Sequence, residues 1–188
     1  MKNTLIAIAL ASTVSVSAFA ADSYTIDSRH TFPSFEVNHL GFSIQRGRFN
    51  KTVGKITLDT AAKTGSIDVA IDAASISTGL PDLEEHLRGE EFFDTAKYPT
   101  ITFTSKKLKF DGDKLVGADG DFTMHGVTRP VSLQLDYFKC GIHPMTKKGN
   151  CGANATTLIK RSEFGITKYV PAVGDDVKIA IQVEATKD

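Results

Sequence analysis

VKIAIQVE, residues 177–184, places Val177, Ile179, Ile181 and Val183 on one parity and Lys178, Ala180, Gln182 and Glu184 on the other. A period of two with one apolar phase describes an antiparallel strand with one face in a core and one in water. The same alternation recurs upstream. Ile67, Val69 and Ile71 alternate with Asp68, Ala70 and Asp72, and Val131, Leu133, Leu135 and Tyr137 alternate with Ser132, Gln134 and Asp136. Less regular versions cover 23–30, 46–58, 100–110, 114–125 and 157–167. Between them stand turn residues: Thr60–Gly65, Asp111-Gly112-Asp113 and Gly126–Pro130, where Gly supplies positive φ and Pro stops the ladder. Eight strands joined by short turns predict an all-β, up-and-down antiparallel barrel, because a long one-sided sheet curls and closes to remove its edges.

One segment departs from the pattern. Pro81–Arg88 reads as a short helix: Pro81 suits the first turn, Asp82, Glu84 and Glu85 suit the positive end of the helix dipole, and Gly89 can end it. Leu83 and Leu87 lie four apart and share a face. With Phe92 and Phe93 just beyond, the helix is placed near one mouth of the barrel, either over it or packed outside.

Residues 1–20 are set apart. A basic start with Lys2, an apolar stretch from Thr4 to Val16 and the Ala18-Phe19-Ala20 cleavage pattern predict a secretory signal peptide, too short for a transmembrane anchor. Residues 21–188 are then a single domain. The chain holds 22 Lys+Arg and 22 Asp+Glu; removing Lys2 with the leader leaves 21 basic against 22 acidic residues. So balanced a charge offers no field for phosphate backbones, and nucleic acid is not expected as a partner. The two cysteines, Cys140 and Cys151, read as a disulfide in an exported chain. A redox or metal pair is the alternative, but the spacing is neither C-x-x-C nor a zinc pattern.

Enzyme chemistry finds no foothold in motifs. Histidines at 30, 39, 86, 125 and 143 form no H-E-x-x-H or H-x-H spacing, and there is no G-x-S-x-G elbow. His125, beside Gly126, is expected to hydrogen-bond turn or strand backbone. A triad assembled only by the fold would leave no such motif. There are twelve Phe and no Trp. An eight-stranded barrel is just wide enough to be filled by side chains or to hold one small ligand, and composition does not separate the two.

The stretch SFEVNHLGFSIQRGRF, residues 34–49, raises the ligand question locally. Phe35 and Val37 alternate with Glu36 and Asn38, His39 takes the next inward position, and then Leu40, Phe42 and Ile44 are apolar on even numbers. The expected reading is an irregular segment at a tunnel entrance, with Leu40, Phe42 and Ile44 turned toward a bound chain. His39 would hydrogen-bond backbone or meet a polar head group.

These residues also carry a family pattern. It comprises Tyr24-x-Ile26-Asp27 with His30, Phe35-x-Val37-x-His39, Gly47-x-Phe49, Thr78, His86-Leu87, Phe92-Phe93-Asp94 and Tyr98-Pro99-x-Ile101-x-Phe103. Gly120-x-Phe122-Thr123-x-His125-Gly126-Val127-Thr128, Arg161-x-x-Phe164-Gly165 and Gly174-Asp175-x-Val177 complete it. In this order and spacing the chain resembles the YceI-like family of bacterial periplasmic lipid-binding proteins. The resemblance implies a lipocalin-like barrel holding a polyisoprenoid chain, such as a quinone, in an apolar tunnel, with no enzymatic activity and no catalytic cofactor or metal. The Cys140–Cys151 loop resembles a disulfide-bearing subgroup from Gram-negative bacteria, some of whose members carry ubiquinone. Two positions depart from the pattern: Thr31 follows His30 where the family has Ser, and Leu83-Glu84-Glu85-His86-Leu87 lacks the family's Arg-Asp before its histidine.

The expectations are therefore a periplasmic carrier, with Phe35, Val37, His39, Leu40, Phe42 and Ile44 at the ligand. Leu83, Leu87, Phe92 and Phe93 approach from the helix side, and Phe103, Phe122, Leu133 and Phe164 from the strands. The expected partners are the polyisoprenoid lipid, a membrane in transient contact, and a second copy in a homodimer. The competing class is a stress-related periplasmic interaction protein without a stable ligand.

Overall fold

A computed structural model of the chain describes residues 21–188; the signal-peptide expectation for residues 1–20 lies outside the described residues. Eleven strand segments form eight barrel arms, because the first three arms are each interrupted. The first arm is β1 (Asp22–Ile26) and β2 (Phe32–His39). The second is β3 (Ser43–Phe49) and β4 (Thr52–Asp59), and the third is β5 (Thr64–Asp72) and β6 (Ile76–Ser77). The remaining arms are β7 (Thr100–Asp111), β8 (Lys114–Met124), β9 (Val127–Ile142), β10 (Gly149–Lys160) and β11 (Val173–Lys187).

Every pairing is antiparallel. The ring runs β1–β4–β5–β7–β8–β9–β10–β11, and β11 closes it on β1 through Tyr24–Lys187 to Ile26–Ala185. The other half of β11 carries β2, which carries β3 and then β6. The result is the expected closed eight-stranded up-and-down barrel.

Alternation holds where it was most regular. Val177, Ile179, Ile181 and Val183 all face the interior, as do Ile67, Val69 and Ile71. In β9 it holds only in part. Leu135 pairs with Ala155 and Tyr137 with Asn154, so Asp136 is an extra residue, and this bulge reverses the parity beyond it. Phe138 turns inward and Tyr137 outward, contrary to the unbroken alternation expected of Val131–Tyr137. Pro130 also lies within β9, opposite Asp121, and does not end a ladder. Strand β9 meets β10 only from Gln134 onward, so the missing N–H forfeits no bond on that side.

The pattern at 157–167 splits. Strand β10 ends at Lys160, and Arg161–Phe164 form a 3-10 turn closed by Gly165 at φ 80°. Arg161 dictates the break. Its buried guanidinium donates from Nε to Gly174 O (2.9 Å), from Nη1 to Ile166 O (3.0 Å) and from Nη2 to Val173 O (3.0 Å). These bonds fold the chain after β10 back against the start of β11.

The glycines of the two G-x-F patterns allow close aromatic approach. A Cβ on Gly47 would stand 2.4 Å from Phe35 Cζ, and one on Gly120 would stand 2.6 Å from Phe103 Cζ. Phe35 and Gly47 are cross-strand partners. Both G-x-F patterns therefore mark places where a Phe ring lies flat over a neighbouring strand.

Candidate functional site

The interior is not filled. A cavity of about 480 Å³ occupies one half of the barrel and a second of about 150 Å³ the other. Pro33, Ile71, Phe122, Ile179 and Ile181 line both, so the two are adjoining compartments with Phe122 between them. The larger lies within the range of small-molecule sites.

Helix α1 (Pro81–Arg88) stands at the larger compartment, where β6 ends and no strand continues the wall to β7. Leu83, His86 and Leu87 point into the cavity, as do Phe92 and Phe93 from the following turn. The cover is fastened by aromatic contacts: Phe93 meets Phe49 edge-on at 5.5 Å, and Phe92 meets His86 at 4.8 Å. Glu84 supplies the polar fastening. Its Oε1 accepts from the backbone N–H of Thr78 (2.7 Å) and of Gly79 (3.1 Å), and its other oxygen lies 3.5 Å from Arg88 Nη2. The Thr78 bond, with those to Gly79 and Ser77 and the Arg88 charge, holds the Glu84 carboxyl below its ordinary pKa. Glu84, which stands where the family pattern has its Asp, thus has a structural task.

Phe35, Val37 and His39 line the larger compartment, His39 at its exposed rim. Phe103 and Leu133 line the smaller one. Leu40, Phe42 and Ile44 do not line either. Residues 40–42 form a tight turn with positive φ at Leu40 (57°) and Gly41 (76°), closed by Phe42 N–H donating to His39 O. His39 pairs with Ser43 and Val37 with Gln45, so odd residues stay inside on both strands. The apparent slip of register is a set of apolar residues outside: Phe42 is 88% exposed. Phe164, expected at the ligand, lines neither compartment. It is buried in the core, edge-on to Phe122 at 5.5 Å.

Other singled-out residues have structural partners. His125, at φ 52°, donates from Nδ1 to Phe164 O at 3.0 Å, the backbone bond expected of it. Cys140 and Cys151 are directly paired residues of β9 and β10, joined by a disulfide at a Cα separation of 4.1 Å. Thr52 is buried beside the smaller compartment, and its Oγ1 has no hydrogen-bond partner among the described residues. No group of three or more His, Cys, Asp or Glu is placed to hold a metal among the described residues.

Sequence missed the pore's polar rim. Gln45, Arg46 and Tyr169 stand around the larger opening, and Tyr169 belongs to a loop with no periodic signal.

The chain is 36% identical to Protein YceI of Escherichia coli O157:H7 over 192 residues, covering 100% of this chain and 99% of that protein. The fold superposes on Burkholderia cenocepacia BcnA with a TM-score of 0.72, at 23% identity over 85% of this chain and 98% of that one. A polyisoprenoid binding domain from Saccharophagus degradans shares the fold at a TM-score of 0.66 and 18% identity, over 88% and 98% of the two chains. The YceI-like domain model matches residues 24–185, nearly the whole described barrel, and the chain belongs to that family.

Proposed function

We propose that the protein is a periplasmic carrier of a polyisoprenoid lipid, such as an isoprenoid quinone, held for transport, storage or sequestration. One observation carries the reading: two adjoining apolar cavities inside a closed barrel, with α1 standing over the larger one. The Saccharophagus degradans domain, described as polyisoprenoid binding, supports the choice of ligand class.

The chain's tail would enter past Leu83, Leu87 and Phe93 and extend beyond Phe122 toward Leu133. The polar end would remain near His39 and Gln45, where the rim can offer hydrogen bonds. Burying about fifteen methylene-sized groups contributes roughly 12 kcal/mol before the costs of binding, so release is slow. Slow release means that the protein purifies with its ligand.

The test is organic extraction of natively exported protein with mass spectrometry of the extract. A stoichiometric polyprenyl lipid, lost in a folded Phe93→Asp variant, is the expected result. Extracts no richer in lipid than those of a control protein would overturn the reading.

A further inference from the structure

The same end of the barrel that opens to the larger compartment exposes large apolar side chains. Phe42 is 88% exposed, Leu40 49% and Ile44 43%, while Leu80 and Tyr169, both lining the opening, are about half exposed. The tip is built rather than loose. Gly41 N–H donates to Asn38 Oδ1 (2.8 Å), and Leu40 N–H donates to Ala172 O (3.0 Å). The second bond ties the tip to the Tyr169–Val173 rim of the opening.

We propose that this end docks on a lipid bilayer, with Phe42 and its neighbours entering the acyl boundary and the opening facing the membrane. The choice of a bilayer rests on the carrier reading, since a membrane is where a polyprenyl ligand resides. Two further observations favour it. Leu40, Phe42 and Ile44 are gathered on one tight turn, whereas a stable dimer buries roughly 800 Å² per partner over a broad face. A shallow interfacial insertion needs no such area. Beside the tip and the helix the charges are compensated or acidic: Arg46 pairs with Glu36, Lys168 pairs with Glu91, and α1 carries Asp82, Glu84 and Glu85, while Lys97 and Arg129, in no ion pair among the described residues, lie toward the β8–β9 turn. Docking is therefore apolar and does not depend on anionic lipid.

The opposite end offers the internal rival. Met145 and Ile142 are exposed on the β9–β10 turn, with Lys139, Lys147 and Lys148, none in an ion pair among the described residues. That end is walled by the buried cluster of Tyr24, Ile26, Leu58 and Ala185. Docking there would depend on anionic lipid and fall with salt.

Because the chain has no Trp, Phe42→Trp and Met145→Trp each create a single reporter. Each is mixed with phosphatidylcholine vesicles, and with vesicles containing phosphatidylglycerol, at low and high salt. The F42W reporter is expected to shift to shorter wavelength and to be quenched by bromine-labelled acyl chains in both vesicle types at both salts. The M145W reporter should stay unchanged, and Phe42→Asp should lower vesicle partitioning at least about tenfold. An unmoved F42W emission overturns the proposal. So does a response confined to M145W with anionic vesicles, or sedimentation showing that Phe42→Asp instead abolishes a dimer. Lipid extracted from the same preparations separates the two ideas. Bound lipid without vesicle binding overturns docking alone, whereas folded protein without lipid overturns the carrier reading.

Discussion

Phe35 lies over Gly47, its cross-strand partner, so closely that a methyl group on Gly47 would stand 2.4 Å from the ring's Cζ and 3.1 Å from Thr78 Cγ2. Since Phe35 also lines the larger compartment, the absence of one side chain sets the width of the cavity. Gly47→Ala is expected to push the ring inward. The cost in stability is about 1–3 kcal/mol, as for other overpacked sites. Bound lipid measured by extraction should fall more than the thermal midpoint does, whereas unchanged lipid content would mean that the ring has room elsewhere.

Arg161 donates to three backbone carbonyls across that fold-back, those of Ile166, Val173 and Gly174. Burial pushes its pKa down and the nearby Asp175 raises it, yet a guanidinium stays charged. Arg161→Met leaves these carbonyls without the guanidinium donor. A loss of about 3–5 kcal/mol is expected. Thermal unfolding should show a midpoint lowered by roughly 6–20 °C. Arg161→Lys should recover less than half, because an ammonium lacks the planar fork.

Acid should loosen the helix that covers the opening. The Thr78 and Gly79 amides hold the Glu84 carboxyl below its ordinary value, so the folded pKa is depressed. The stability from this group is then fully present above the unfolded value near 4.5 and is lost as pH falls through the lower folded value. In an NMR titration the Thr78 and Gly79 amide protons should move together with a midpoint below 4.5. Glu84→Gln should abolish that step. A midpoint at or above the ordinary value would contradict the fastening role.

The disulfide joins neighbours already paired along β9 and β10. Replacing both Cys140 and Cys151 by Ser is expected to cost about 2 kcal/mol, through a less restricted unfolded chain. That corresponds to a midpoint roughly 4–8 °C lower. Lipid content should hold, since the larger compartment lies at the other end of β11. Loss of lipid in the double variant would place the ligand deeper than proposed, against Cys151 in the smaller compartment.

Much of the architecture was legible because β-strands advertise themselves through parity. Val177–Val183 and Ile67–Ile71 face inward as their spacing requires, α1 begins at Pro81 and ends before Gly89, and the cysteines are joined. Among the ligand expectations, Phe35, Val37, His39, Leu83, Leu87, Phe92, Phe93, Phe103, Phe122 and Leu133 reach the cavity wall. The remaining expectations depart for two reasons: apolar character does not fix which side of the wall a residue takes, and burial alone does not place a residue at the cavity. Ile44 and Phe42 are apolar but occupy the outer parity, and Phe164 is buried in the core against Phe122.

By itself the sequence determined the all-β class, the number of arms, the helix and the family, since these depend on local periodicity, turn chemistry and the order of motifs. Only the tertiary structure decided which faces became inside. Barrel closure through β1 and β11, the bulge at Asp136 and the turn at Leu40-Gly41-Phe42 set that choice. Each depends on register between strands distant in sequence. A shift of one residue there exchanges the two faces, and no local alternation records which exchange occurred.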